Sequence, residues 1–214
     1  MNDAPVSPGT IQMGRRAMGT LVRVTPMDTV PHQRWTTESF LAWEDRQEYK
    51  HEFDGRNVLP MTGGSVAHQE IVFNLLVVLR RLLVARPVRA LHEVRLRVGD
   101  WVRYPDVAVS VGPLELTTRT LTDALAVFEV LSEDTAVTDR VKKLANYADV
   151  PSLHCYVLLD QTDIAATLFA RDPEGSWIAS GHTDGKLVVP GLDVAPPLVE
   201  IYQGLAFPEP GAVD

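Results

Sequence analysis

Apolar and polar residues follow different rhythms along the chain, and the changes of rhythm mark its elements. In GGSVAHQEIVFNLLVVLRRLLVAR, Ile71, Leu75, Val78, Leu79 and Leu82 recur at helical spacing, which predicts a helix from about Ala67 to Ala85, stopped by Pro87. A second amphipathic helix is predicted from Val137 to Ala148, its stripe made by Val137, Val141, Leu144, Ala145 and Ala148. TTESFLAWEDRQ offers Thr36 or Thr37 as an N-cap, with Phe40, Leu41 and Trp43 on a short helix. YKHEFDGRNVLPM reads as a hairpin turning at Asp54-Gly55. VRALHEVRLRV, YPDVAVSV and LAVFEVLS are strand-like, as are LHCYVLLD, ATLFAR and WIAS after Pro151. Helix, strands, helix, strands is the order of an α/β layer, a mixed sheet flanked by helices.

The rhythm also divides the chain. Residues 1–35 carry Pro5, Pro8, Gly9, Gly14, Gly19, Pro26 and Pro31 with little periodicity and read as a flexible extension. Residues 36–206 form the organised domain, and 207–214 a short tail. A chain of 214 residues with 45% hydrophobic content suits one good-sized domain. No apolar run approaches the roughly 18 residues of a membrane span, and the first residues lack a secretory apolar block, so a cytoplasmic protein with no membrane partner is expected. The single Cys155 excludes an internal disulfide framework and a cysteine-rich zinc site.

Charge narrows the partners. A net charge of −8 argues against holding nucleic acid on a broad basic surface. Locally, Arg80, Arg81, Arg86, Arg89, Arg95 and Arg97 stand against Glu93 alone, as either a track for a phosphate backbone or a solvated helix end and strand face.

The chemistry sits where strands should be apolar. In ALAVFEVLSE, alternation puts Val127, Glu129 and Leu131 on one face and Phe128 and Val130 on the other, so a carboxylate is enclosed by apolar neighbours. Asp106 opens the core-like strand of YPDVAVSV, and Glu52 precedes the hairpin turn. If the strands of Asp106 and Glu129 pair, the two acids repel unless one is protonated or a cation lies between them, and a hard divalent ion such as Mg²⁺ is the usual solution. A lysine is the other candidate cation. Lys142 and Lys143 lie on opposite flanks of the second helix's stripe, Lys143 on the side of Tyr147 and Arg140, and the wheel does not choose between them. Ser132 and His154 lack the surroundings of a nucleophile elbow, and Cys155 lies in an apolar strand, so a metal-independent hydrolase has little support.

The words EFDGRNVLPMTGGSVAH, YPDVAV, FEVLSEDTAVTDRVKKLANYADVPSLHCYVLLDQ and LVEIY, in this order over roughly residues 36–206, resemble the Uma-two endonuclease-like family of the PD-(D/E)XK superfamily. The resemblance implies a restriction-endonuclease-like core with a central mixed β-sheet flanked by helices, preceded by a helix and hairpin and followed by C-terminal strands. It matches Asp106 to the motif Asp and Glu129 to the motif acid, while Leu131 stands where the superfamily has lysine and Lys143 takes that part from the following helix. Glu52 matches an acidic position of the family's ExxDG word, and His68 the histidine opening the long helix. The implied activity is Mg²⁺-dependent endonucleolytic hydrolysis of DNA, with Mn²⁺ able to substitute, metal ligands Asp106, Glu129 and Glu52, and catalytic help from Lys143. A homodimer is expected by analogy with nucleases that cut both strands. The competing expectation is a catalytically silent nucleic-acid-binding or protein-interaction module retaining the fold.

Overall fold

The computed structural model describes residues 30, 33–61, 63–131 and 137–207, without the side chains of 137–142. The expected extension over 1–35 and the tail over 207–214 lie almost wholly outside the described residues, as does Ser132.

The site is positioned by one sheet of six strands. Its members are β3 (Val88–His92), β6 (Val107–Val111), β8 (Ala126–Val130), β9 (Cys155–Leu159), β10 (Ala166–Arg171) and β11 (Trp177–His182), in the order β11-β10-β9-β8-β6-β3. β8 and β9 run parallel and the other neighbours antiparallel. Parallel neighbours need a crossover, and α3 (Val137–Ala148) supplies it, which lays this helix over the sheet beside β8.

The strands at the sheet centre are apolar on both faces because both are covered. On one side Phe128, Val130, Val107 and Val157 pack with Ile71, Val72, Leu75 and Leu79 of α2 (Val66–Leu82) and with the C-terminal segment through Leu198 and Ile201. On the other, Val127, Ala108, Tyr156 and Leu158 pack with Tyr147 of α3, with Val150 and Leu153 beyond it, and with Leu96 and Leu121. The face of Val127 is therefore the face that meets α3, and two residues on it is also the face of Glu129.

A second, smaller sheet holds β1 (His51–Phe53), β2 (Val58–Pro60), β4 (Arg95–Val98), β5 (Trp101–Arg103) and β7 (Thr120–Leu121) in the order β2-β1-β5-β4-β7. In front of it α1 (Thr37–Glu44) starts at Thr36 with a capping box closed by Ser39. The run VRALHEVRLRV, which reads as one strand, is broken at Glu93 (φ 44°) into β3 and β4, and the halves join different sheets. The hairpin loop is longer than the two-residue turn expected. Asp54 accepts the amides of Arg56 and Asn57 at 2.9 and 2.6 Å, and Gly55 takes φ 82°. The long helix stops at Leu82, short of Ala85, while the last helix, α4 (Leu198–Ile201), has too few residues to show a period.

Candidate functional site

The register of β6 against β8 pairs Val107 with Phe128, so the next pair outward is Asp106 with Glu129. Glu129 lies inside β8, every residue of which is buried. Its carboxylate is met from α3: Lys143 Nζ stands 3.2 Å from Oε2, and the Tyr147 hydroxyl donates to Oε1 at 2.9 Å. Residues four apart share one helix face, so a single strip of α3 serves both oxygens. Lys143 reaches the acid; the side chain of Lys142 lies outside the described residues.

Asp106 sits just before β6, its Oδ2 accepting the amide of Val130 at 2.7 Å and its Oδ1 lying 3.1 Å from His68 Nε2. His68 stands in the first turn of α2, whose N-cap Ser65 accepts its amide at 3.1 Å. The ring comes in under Gly64, where a Cβ would lie 2.7 Å from the ring's Cδ2, so the close approach needs a glycine. His68 Nδ1 is buried without a hydrogen-bond partner among the described residues.

Glu52, in the middle of β1, is nearby but engaged elsewhere. Arg103 Nη1 donates to Oε2 at 2.7 Å and the Tyr104 amide to Oε1 at 3.2 Å, while Arg103 Nη2 donates to Asn146 of α3 at 3.1 Å. Arg103 is thus a strut between the hairpin and the site helix. Tyr147, Arg103 and Asn146 are the site residues that sequence reasoning missed. The spacing of Tyr147 from Lys143 signals a shared face. A buried arginine three residues before Asp106 calls for a carboxylate, but nothing in the sequence says which one.

Among the described residues, negative charge outweighs positive at the site. Burial pushes the Glu129 carboxyl up to about 7; Lys143 opposes the rise, and the neighbouring charges of Asp106 and Glu52 reinforce it. Tyr147 is raised well above the ordinary tyrosine range by burial and by Glu129. His68 is raised by its hydrogen bond to Asp106, against the effect of burial. Lys143 therefore compensates Glu129 in part. Two carboxylates side by side with this shortfall fit a hard divalent cation that keeps several waters. Among the described residues, no group of three or more His, Cys, Asp and Glu side chains is gathered closely enough to hold a metal ion. The carboxylates keep free lone pairs, since each carries about four acceptor sites.

The basic run does not assemble into a track. Arg81 pairs with Glu200, Arg86 with Asp193, Arg95 with Glu44 and Asp45, and Arg97 with Glu38. A cavity of about 450 Å³ lined by Arg80, Arg86 and Arg89 lies beyond the C-terminal end of α2, the end opposite His68. Cys155 is buried in β9, where burial pushes its thiol up to about 12, the behaviour of a structural cysteine. Among the described residues no helix is long and apolar enough to cross a membrane.

A six-stranded mixed sheet with an acid inside its central strand and a second acid across from it is the frame of a restriction-endonuclease-like core. Residues 37–201 match the family model Uma2, described as "Putative restriction endonuclease", and the chain belongs to that family. It is 28% identical over 184 residues to the uncharacterized protein slr1290 of Synechocystis sp., covering 84% of this chain and 97% of that protein. A second uncharacterized protein of Synechocystis sp., sll1609, is 26% identical over 149 residues, 67% of this chain and 84% of that one. Among solved structures, the crystal structure of a "putative nuclease belonging to DUF820" from Anabaena variabilis superposes with a TM-score of 0.66 at 18% identity, covering 78% of this chain and 97% of that one. The fold is thus the nuclease-like α/β fold that the sequence words imply.

Proposed function

We propose that the chain is a Mg²⁺-dependent endonuclease that hydrolyses phosphodiester bonds of DNA at the site of Asp106, Glu129 and Lys143, with Mn²⁺ able to substitute. The observation that carries this reading is Glu129 itself, an acid inside the central strand, faced by a second acid across the register and by the Lys143 ammonium at 3.2 Å. Burying this charge costs stability that an apolar residue would not, so the arrangement is costly unless the acid has work to do. Membership of a family described as endonucleolytic agrees with it.

Asp106 and Glu129 are the residues that would hold the ion. When bound, a divalent ion supplies Lewis-acid polarisation of a phosphoryl oxygen and a water of lowered pKa. The chain's own groups do the rest. Tyr147 fixes Oε1 of Glu129, and Val130 and His68 fix the two oxygens of Asp106, so both carboxylates are oriented before substrate arrives. Lys143 presents a point charge on a flexible four-carbon stem, suited to meet negative charge developing on phosphate oxygens. Glu52 adds negative potential to the site and anchors Arg103; it joins the ligand set only by giving up that partner.

A second reading has its own support. Glu129 already has Lys143 and Tyr147 as partners and Glu52 has Arg103, so a silent module keeping the fold for binding is chemically self-consistent. The two readings separate in one assay: nicking of supercoiled plasmid, and cleavage of single-stranded DNA and RNA, by wild type with Mg²⁺ or Mn²⁺ and after chelation. Metal-dependent DNA cleavage that chelation stops supports the endonuclease. Inactivity on every substrate, together with no Mn²⁺ binding, supports the silent module.

A further inference from the structure

α2 is apolar on two faces, and the packing among the described residues uses one. Ile71, Val72, Leu75, Val78 and Leu79 are buried against the sheet. On the opposite side Val66, Phe73, Val77 and the following-turn residue Val84 are 79%, 62%, 51% and 85% exposed. At 3.6 residues per turn Val66, Phe73 and Val77 fall on one narrow strip of α2, and Val84 lies two residues past the helix's end. Glu70 and Arg80, both exposed, lie on the same strip, and neither has an ion pair among the described residues.

The strip is palindromic about the level of Leu75. Phe73 and Val77 stand two residues to either side of it, Glu70 and Arg80 five, and Val66 and Val84 nine. Two copies laid antiparallel across a two-fold axis at that level would bring Phe73 to the level of Val77 of the second copy and Glu70 to the level of Arg80 across the seam, with Val66 near the turn that carries Val84. Every apolar residue then meets an apolar one and every charge its opposite, twice over, as an isologous interface requires. A parallel arrangement would instead set Glu70 against Glu70 and Arg80 against Arg80, which like-charge repulsion disfavours.

We infer that the outer face of α2 is a homodimer interface whose occupant is α2 of a second copy, antiparallel and centred on Leu75. One helix pair lies at the small end of the size range of specific interfaces, so the dimer is expected to be in concentration-dependent exchange with the monomer. The interface is independent of the proposed nuclease activity and leaves His68 at the two outer ends of the helix pair.

Sedimentation equilibrium of the full chain across the micromolar range tests it. Wild type is expected to shift from monomer to dimer with concentration. Glu70→Arg and Arg80→Glu, at exposed positions, each replace two attractive pairs by two repulsive ones and weaken association by about tenfold or more, whereas the double variant restores it to near wild type. Phe73→Asp abolishes the dimer, with an unchanged thermal midpoint showing that the fold is kept. A wild type monomeric throughout overturns the inference, as it would if residues of the same chain cover the strip. So does a dimer indifferent to all four variants, or a double variant as monomeric as the singles.

Discussion

The Lys143 ammonium stands 3.2 Å from one oxygen of Glu129, and four residues further along α3 the Tyr147 hydroxyl donates to the other at 2.9 Å. The helix that carries both exists because β8 and β9 are parallel and need a crossover. The cation at the centre of the sheet is thus supplied by topology, from a helix rather than from the strand of the acid.

Removing that cation exposes the cost of the buried acid. Lys143→Met is expected to destabilise the fold by roughly 2 kcal/mol at pH 8, where wild-type Glu129 is ionised beside the ammonium and the variant must either bury the charge unpaired or take up a proton, and by less than about 1 kcal/mol at pH 5, where the acid is protonated in both. Lys143→Met combined with Glu129→Gln recovers most of the loss. Urea unfolding at the two pH values checks both statements, and equal losses at pH 5 and pH 8 would contradict them.

The pH dependence has a definite sign. The folded state holds Glu129 at about 7 against an ordinary value of 4.5, so between these values it binds more protons than the unfolded chain. Stability is then full below pH 4.5 and falls as the pH rises towards 7, by up to about 3 kcal/mol. His68, raised above 6.5 by Asp106, acts in the same direction: its contribution is full below 6.5 and is lost as the pH rises through its folded value. In chelator, thermal midpoints measured from pH 4 to pH 8 should decline for wild type. They should decline less for Glu129→Gln, with the residual slope above pH 6.5 removed by His68→Gln.

Gly64 sets the approach of His68. A methyl group there meets the ring at 2.7 Å, so Gly64→Ala is expected to push the imidazole off Asp106 and cost about 1–2 kcal/mol by overpacking. The diagnostic readout is the NMR titration of His68, which should return towards the ordinary histidine range once its contact with Asp106 is lost.

Much of this was legible in the chain, and the reasons differ by element. The helix from Val137 to Ala148 and the strand Ala166–Arg171 are found where the pattern puts them, each an uninterrupted element with a single apolar rhythm. The enclosure of Glu129 followed from alternation alone. The split of VRALHEVRLRV did not, because Glu93 leaves the strand conformation with a positive φ that the apolar pattern does not encode. The choice between Lys142 and Lys143 depended on which side of α3 faces β8, a fact of tertiary packing. The capture of Glu52 by Arg103 was hidden for the same reason, the two residues being 51 positions apart.

That capture makes Glu52 separable from Asp106. Glu52→Gln leaves Arg103 buried with a weakened partner and is expected to destabilise by about 2–3 kcal/mol, while lowering Mn²⁺ affinity less than Asp106→Asn does. Calorimetric Mn²⁺ titration alongside urea unfolding checks both effects. A Glu52→Gln protein of wild-type stability that no longer binds Mn²⁺ would instead make Glu52 a ligand first and an anchor second.

The most direct measurement is the rate of plasmid cleavage in Mg²⁺ by wild type, Asp106→Asn, Glu129→Gln and Lys143→Met, each verified as folded by its thermal transition. Wild type is expected to cleave, with chelation abolishing the cleavage, and all three variants to lose about 100-fold or more in rate. Variants that cut as fast as wild type, or a folded wild type that binds Mn²⁺ and cuts nothing, would contradict the claim that these residues form a working phosphodiesterase site.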